Sequence, residues 1–294
     1  MPDQPDQRDQ PGPSSTRNST DPPTTPPLHS AGGERMPTDR AAELNRHTWD
    51  SIRRQRDEGL IPKNVDVAAD ILAGRTARSP EQLALLGEVA GKRLLDLGCG
   101  DGKELLEFAR DGALVVGVDN SPLQLAAARR AADTLGLPCR LVLADLLRLP
   151  DDLLRGEFDI VFSSHVTAWI GDLDAWFSLA HRALKPGGVF LLTGGHTLSG
   201  FFGDMQRGKT HRQTYFDAGP FVFESHGHGT SKEWNPAGDE RTAVEWSHPL
   251  GKIVTAVAHA GFRITDLVER GDSASKTGLP PGYPAQFILR AVND

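Results

Sequence analysis

Cysteine is scarce in this chain and positive charge is in deficit. The only cysteines are Cys99 and Cys139, too few for a disulfide framework, and a reduced, cytoplasmic protein is the simple expectation. Lys and Arg number 32 against 39 Asp and Glu, a net charge of −7. With no surplus of cations to neutralise phosphates, no nucleic-acid partner is expected, although local basic patches remain open. No apolar run approaches the ~20 residues that span a bilayer, so no membrane partner is expected either. The amino terminus also lacks the charged and apolar regions of a signal peptide. Residues 1–38 are rich in Pro, Asp, Gln, Ser and Thr and offer almost nothing to bury. Such a segment cannot offset its ordering entropy and reads as a disordered tail.

What is present is a chain of 294 residues, long enough for one large α/β domain or two small ones. We expect a single domain over residues 39–294. Structure should begin near Asp39, with a helix carrying Leu44, His47, Trp49 and Ile52. A polar linker follows, and then a helix opened by Ser79-Pro80-Glu81, where Ser caps and Pro loses no needed N–H. Residues 39–90 thus form a helical cap. From Lys92 onward short apolar runs alternate with helical stretches. The runs Arg93–Leu97, Leu114–Val118, Arg140–Ala144, Phe158–Phe162 and Val189–Thr193 read as buried strands. The helices between them are Lys103–Arg110, Pro122–Leu135 and Leu173–Leu184. This alternation predicts a parallel sheet covered by helices on both faces. A helix from Pro249 to Ala260 and two more strands, Phe262–Glu269 and Gln286–Ala291, follow. Residues 196–247 are aromatic, Gly- and His-rich and weakly periodic, and read as an insertion over the carboxyl ends of the strands.

The first strand, Leu94-Leu95-Asp96-Leu97, runs into glycines at 98, 100 and 102 and then a helix. Alternate glycines let backbone approach a ligand closely, and a helix start adds N–H groups and partial positive charge. Such a loop can serve a dinucleotide pyrophosphate or the amino-acid end of S-adenosylmethionine (SAM). The spacing G-x-G-x-G, in place of G-x-G-x-x-G, and the carboxylate of Asp96 ahead of the loop favour SAM. Asp119 ends the second strand, where a carboxylate can accept ribose hydroxyls in either class. Asp145 ends the third strand, Phe158–Ser164 holds the fourth, and Lys185-Pro186-Gly187-Gly188 precedes the fifth.

This ordered set, over roughly residues 80–193, resembles the motifs of class I SAM-dependent methyltransferases, and most nearly the broad bacterial "type 11" group. Asn45–Asp50 is similar to the amino-terminal helix of that group, and His248 to Glu269 to the carboxyl-terminal part of small-molecule methyltransferases. The resemblance implies a Rossmann-like α/β fold: a seven-stranded, mostly parallel sheet whose last strand, Gln286–Ala291, runs antiparallel. It further implies that Asp96, Gly98 and Gly100 hold the methionine moiety, Asp119 the ribose, and Asp145 with the Leu146 N–H the adenine. Ser163 would lie beside the methionine end. Cys99 and Asn120 fall within the cofactor loops by position, although Cys99 also reads as a loop filler and Asn120-Ser121 as a helix cap.

An activated methyl group needs alignment with a nucleophile more than it needs a dedicated catalytic residue. A base still helps to remove the nucleophile's proton. His165, two residues past Ser163, is the first candidate, and His196 after the fifth strand the second. His211 and the His226-Gly227-His228 run invite a metal reading, but no paired Cys or spaced carboxylate completes a site, and no metal is expected. Trp169, Tyr215, Trp234 and Trp246 suit the wall of a flat or apolar acceptor pocket, or the insertion's own core. Trp49 could close over the cofactor or simply pack. The expected function is SAM-dependent methylation of a small-molecule acceptor at O or N, with S-adenosylhomocysteine (SAH) as product. A tRNA or protein methyltransferase is the alternative, as is a SAM-binding protein with other chemistry or none. The acceptor and the oligomeric state are not legible.

Overall fold

A computed structural model describes residues 36–61, 66–206, 214–224, 237–271 and 282–294. The expected tail up to residue 35, and His211, His226, His228 and Trp234 of the insertion, lie outside the described residues.

The alternating half of the chain folds as a seven-stranded sheet in the order β3-β2-β1-β4-β5-β9-β8. The parallel strands are β1 (Arg93–Leu97), β2 (Leu114–Asp119), β3 (Arg140–Leu143), β4 (Phe158–Ser164) and β5 (Leu184–Gly195). The last strand, β9 (Pro284–Asn293), lies antiparallel between β5 and β8 (Phe262–Gly271). The strands are nearly continuous in apolar residues because both faces are covered, and successive side chains feed opposite cores. Leu95, Leu97, Phe190 and Leu192 pack with Trp176, Phe177, Ile253 and Val257 on one face. Leu94, Ile160, Phe162 and Leu191 pack with Leu105, Phe108 and Leu125 on the other.

The helices start where local chemistry satisfies their first N–H groups. Ser79 and Gln82 form a reciprocal capping box on α3 (Pro80–Leu86). Helix α4 (Lys103–Arg110) leaves the glycine loop. Ser121 accepts from the Gln124 N–H at 3.1 Å to open α5 (Pro122–Leu135), with Pro122 in the first turn. Asp172 does the same for α6 (Leu173–Ala183), accepting from the Ala175 N–H at 2.9 Å. Helix α8 (Leu250–His259) precedes β8.

Three features depart from the sequence reading. A short helix, α2 (Val67–Leu72), stands in the stretch read as linker, capped by the Asp66 carboxylate on the Ala69 N–H. Strand β5 begins at Leu184, because Leu184 pairs with Phe158 before a register shift brings Val189 opposite Ile160. The Lys185–Gly188 turn therefore interrupts a strand already begun. The insertion is also not a plain loop. It carries α7 (Thr197–Gln206) and an antiparallel pair, β6 (Phe221–Glu224) with β7 (Thr242–Glu245).

Helix α1 (Thr38–Asp57) ties that insertion to the sheet. Its buried face is polar, with Asn45, Thr48, Ser51 and Gln55 at helical spacing. Asn45 pairs with the Val244 backbone in both directions, its Nδ2 donating to the carbonyl at 2.9 Å and its Oδ1 accepting from the N–H at 2.7 Å. Thr48 donates to the Thr242 carbonyl at 2.9 Å, and Gln55 to Asp239 at 2.8 Å. On the sheet side, Asp50 accepts from the Ser121 hydroxyl at 2.6 Å.

Candidate active site

The carboxyl ends of β1, β2, β3 and β4 converge on a cavity of about 240 Å³, closed on one side by α1. Gly98 and Gly100 line it from the first loop, Asp119 and Asn120 from the end of β2, and Asp145 and Leu146 from the end of β3. Gly98 has a φ of +85°, and a Cβ there would stand 2.4 Å from Val166 Cγ2. Only glycine lets the loop after β4 come this close. At Gly100 a Cβ would meet nothing within 4 Å, so that backbone faces open space. Asp119 holds the loop in place: its carboxylate accepts from the Gly100 N–H and the Ser121 N–H, both at 2.9 Å. Asp145 accepts from the Leu147 N–H at 2.9 Å, which sets the turn after β3.

Asp96, Cys99 and Ser163 do not line this cavity. Asp96 is 2% exposed beneath the loop. Cys99 is buried against β2, where a Cβ on Gly117 would lie 2.8 Å from its Sγ, as a filler residue should. Ser163 is buried and donates to the Leu97 carbonyl at 2.7 Å, so its hydroxyl is spent inside the sheet. Its neighbour Ser164 lines the cavity instead and donates to Glu104 at 3.0 Å. The sequence reading had not singled out Ser164, Asp101, Gln124, Asn45 or Arg56, all of which line the cavity. Gln124 carries the clearest signal in retrospect, being three residues past the Ser121 cap on the first turn of α5.

The chemistry of this lining and of the carboxylates beneath it, Asp96 and Glu104, asks for a particular ligand. Burial, then Glu104 and Asp119, push the Asp96 carboxyl well above the usual range. Burial also raises Asp101, Glu104 and Asp119. Arg53, 3.3 Å from Asp101, partly offsets this for Asp101, and a bound cation would relieve the others. Gln124 adds a buried Oε1 without a partner, an acceptor waiting for a donor. The cavity therefore suits a ligand with positive charge at the loop end and several hydroxyl or amino donors.

A second cavity of about 270 Å³ lies beside the first, walled by residues 167–169 and 195–197, Ser199 and residues 245–248. His165 and Trp169 line both cavities. His165 is exposed and holds a φ of 58°, the one non-glycine residue with positive φ among the described residues. Its N–H donates to the Thr193 carbonyl at 2.9 Å, which fixes the turn. Backbone in that region costs ~1–3 kcal/mol and persists where surrounding structure enforces it. Trp49 of α1 meets Trp169 edge-on, with ring centroids 5.2 Å apart.

His196 sits in the second cavity, but its ring is fully engaged. Nδ1 accepts from the Leu198 N–H at 3.2 Å at the start of α7, so Nε2 carries the proton and meets Glu269 at 3.0 Å. Burial lowers its pKa and Glu269 pulls the other way. With its lone pair committed, His196 is placed as a helix cap, and the base candidate left on this geometry is His165. Among the described residues no group of His, Cys, Asp and Glu is arranged to hold a metal ion, and no helix is long and apolar enough to cross a membrane.

Comparison with known proteins agrees with this arrangement. A family model described as a methyltransferase domain matches residues 95–192, from β1 to β5. A ubiquinone biosynthesis O-methyltransferase of Rhodopseudomonas palustris (strain TIE-1) is 30% identical over 154 residues, 51% of this chain and 58% of that enzyme. A demethylmenaquinone methyltransferase of Thermus thermophilus is 38% identical over 131 residues, 44% of this chain and 56% of that one. The chain thus spans little more than half the length of these curated relatives. A solved S-adenosylmethionine-dependent methyltransferase from Mesorhizobium loti is similar over 72% of this chain and 96% of its own, at 25% identity and a TM-score of 0.51. Residues 95–192 thus carry a methyltransferase domain, and in strand order, antiparallel last strand and acidic strand ends the chain is similar to class I SAM-dependent methyltransferases.

Proposed function

We propose that this protein binds SAM in the first cavity and methylates a small-molecule acceptor, at O or N, held in the second. The observation that carries the reading is that the two cavities meet at His165 and Trp169. A donor and an acceptor placed on either side of that junction are brought together without further closure. When bound, SAM supplies a methyl group already activated on a sulfonium.

The chain's own residues divide the remaining work. Gly98 and Gly100 bring backbone to the methionine end, and the buried Asp96 with the half-buried Asp101 and Glu104 favours its positive charge. Asp119 takes the ribose hydroxyls, and Asp145 with Leu146 and Gln124 takes the adenine. Trp49 and Trp169 exclude water from the junction. His165 stands where it can hold the proton that the acceptor's O–H or N–H gives up. The two curated relatives carry names of quinone pathways, which accords with a flat, small acceptor between Trp169 and Trp246. A net charge of −7 argues against a nucleic-acid acceptor, and two free thiols accord with a cytoplasmic setting.

Calorimetric titration with SAM, SAH and NAD tests the reading. SAM and SAH should bind and NAD should not. Tight NAD binding without SAH binding would remove the proposal. Turnover with labelled SAM on the true acceptor tests His165, whose base role fails if His165→Ala keeps full rate.

A further inference from the structure

One wall of the second cavity is an indole that rests on a glycine. Gly171 ends the turn after β4, and its φ is not positive, so its backbone conformation does not call for glycine. Space does. A Cβ on Gly171 would stand 2.7 Å from Cζ2 and 2.9 Å from Cε2 of Trp246, well inside van der Waals contact. Trp246 lines the second cavity, whereas Gly171 lines neither.

Both sides of that contact are tied down. Before Gly171, the Ile170 carbonyl accepts from His248 Nε2 at 2.7 Å. After it, the Asp172 carboxylate caps α6. The Trp246 N–H donates to the Ala168 carbonyl at 2.8 Å, and the Ser247 N–H to the Ala218 carbonyl at 3.0 Å. The indole also packs with Ala41 of α1 and Val244 of β7, both fully buried. A close-packed contact of that kind has no room for a ring to enter. The space still open to the indole is the second cavity. At about 270 Å³ it lies near the lower end of ligand pockets, ~300–1,000 Å³, so one displaced ring changes what it holds.

We propose that Gly171 sets the size of acceptor this protein takes, acting through Trp246. With no side chain at 171 the indole lies back against the turn, and the cavity has room for a flat molecule of two fused rings. The inference rests on reading the second cavity as the acceptor site. Gly171 touches no ligand and is a positioning residue. A methyl group there drives the indole inward and excludes the larger acceptors first.

Phenol and 2-naphthol test this, because they carry the same hydroxyl on one ring and on two. Each is titrated into the full-length protein labelled with 5-fluorotryptophan, and Trp246→Phe assigns the Trp246 fluorine signal. In Gly171→Ala that signal should move, phenol affinity should stay within about twofold, and 2-naphthol affinity should fall about tenfold or more. Adding Trp246→Phe, with its smaller ring, should restore 2-naphthol binding. An equal loss of both probes, no recovery in the double variant, or a wild-type protein that does not take up 2-naphthol would overturn the proposal. Should Gly171→Ala fail to fold, the double variant decides. Folding and binding like Trp246→Phe alone supports the indole as the obstacle, and failure to fold overturns it. SAH is titrated by calorimetry in the same samples. SAH binding with unchanged probe selectivity overturns this inference alone and leaves the methyltransferase reading standing. Altered selectivity in a protein that does not bind SAH removes the link to methylation and overturns both.

Discussion

The two cavities share a wall but are built from different parts of the chain. The first is made at the ends of consecutive parallel strands, where each loop delivers one or two residues to a place set by the sheet. Gly98, Asp119 and Asp145 come from β1, β2 and β3 in turn, so sequence order and spatial order coincide. The second is assembled from the turn after β4, the end of β5, the start of α7 and the end of β7. Its residues are drawn from 165 to 248 and are held by hydrogen bonds between elements that are not neighbours in sequence. The polar groups also differ. The first cavity gathers carboxylates that burial pushes upward in pKa. The second gathers imidazoles that burial pushes downward.

This contrast can be broken at several points. The largest effect is expected at Gly98→Ala, which combines a positive φ with a Cβ 2.4 Å from Val166. Strain and overpacking together should cost about 3 kcal/mol in denaturant unfolding. Adding Val166→Ala should return about 1 kcal/mol, because it relieves the overlap and leaves the backbone strain. Full recovery in the double variant would show that φ contributes nothing.

A comparable effect is expected on the second cavity from pH alone. Burial holds the His248 imidazole at about 4, against an ordinary 6.5, with Lys252 lowering it further and the Ile170 carbonyl opposing. The unfolded chain takes up that proton first, so the stability is present above about pH 6.5 and is lost as pH falls toward about 4. The loss amounts to about 3 kcal/mol over that window. Unfolding curves of His248→Gln should lack this component; an identical pH profile in the variant would assign the acid sensitivity elsewhere.

Asp119→Ala should weaken SAH binding about 30-fold, corresponding to about 2 kcal/mol for a charged hydrogen-bonding group, with little change at the second cavity. Unchanged affinity in calorimetry would remove the ribose assignment. The smallest effect is expected at Asn45→Ala, which leaves the Val244 N–H and carbonyl without their partner. It should cost about 1–2 kcal/mol and raise hydrogen exchange along β7 more than along β1. Equal exchange in both strands would mean that α1 does not carry the insertion.

The first cavity was largely legible because its residues follow a glycine loop and strand ends that a parallel sheet must bring together. Ser163 shows where that logic stops. Which of two adjacent serines lines the cavity is a matter of strand parity, and the pairing of β4 with β1 and β5 places Ser164 there. Helix α1 was legible as a helix from Leu44, Trp49 and Ile52, but its docking face was not. That face is polar, and a polar face reads as solvent-exposed until a partner backbone such as Val244 is known. His196 was legible as a candidate base, yet its role depends on Glu269, seventy-odd residues away, and on the Leu198 N–H.

Local sequence alone determined the strand–helix alternation and the glycine loop with its acidic partners, and hence most of the residues that line the first cavity. Those features depend on short-range periodicity and on backbone geometry that only certain residues allow. The tertiary structure decided how His196 and His248 are held, which serine lines the cavity, and where the insertion rests. Each of those depends on a hydrogen bond between distant segments, such as His248 to Ile170 or Asn45 to Val244, that no local pattern encodes.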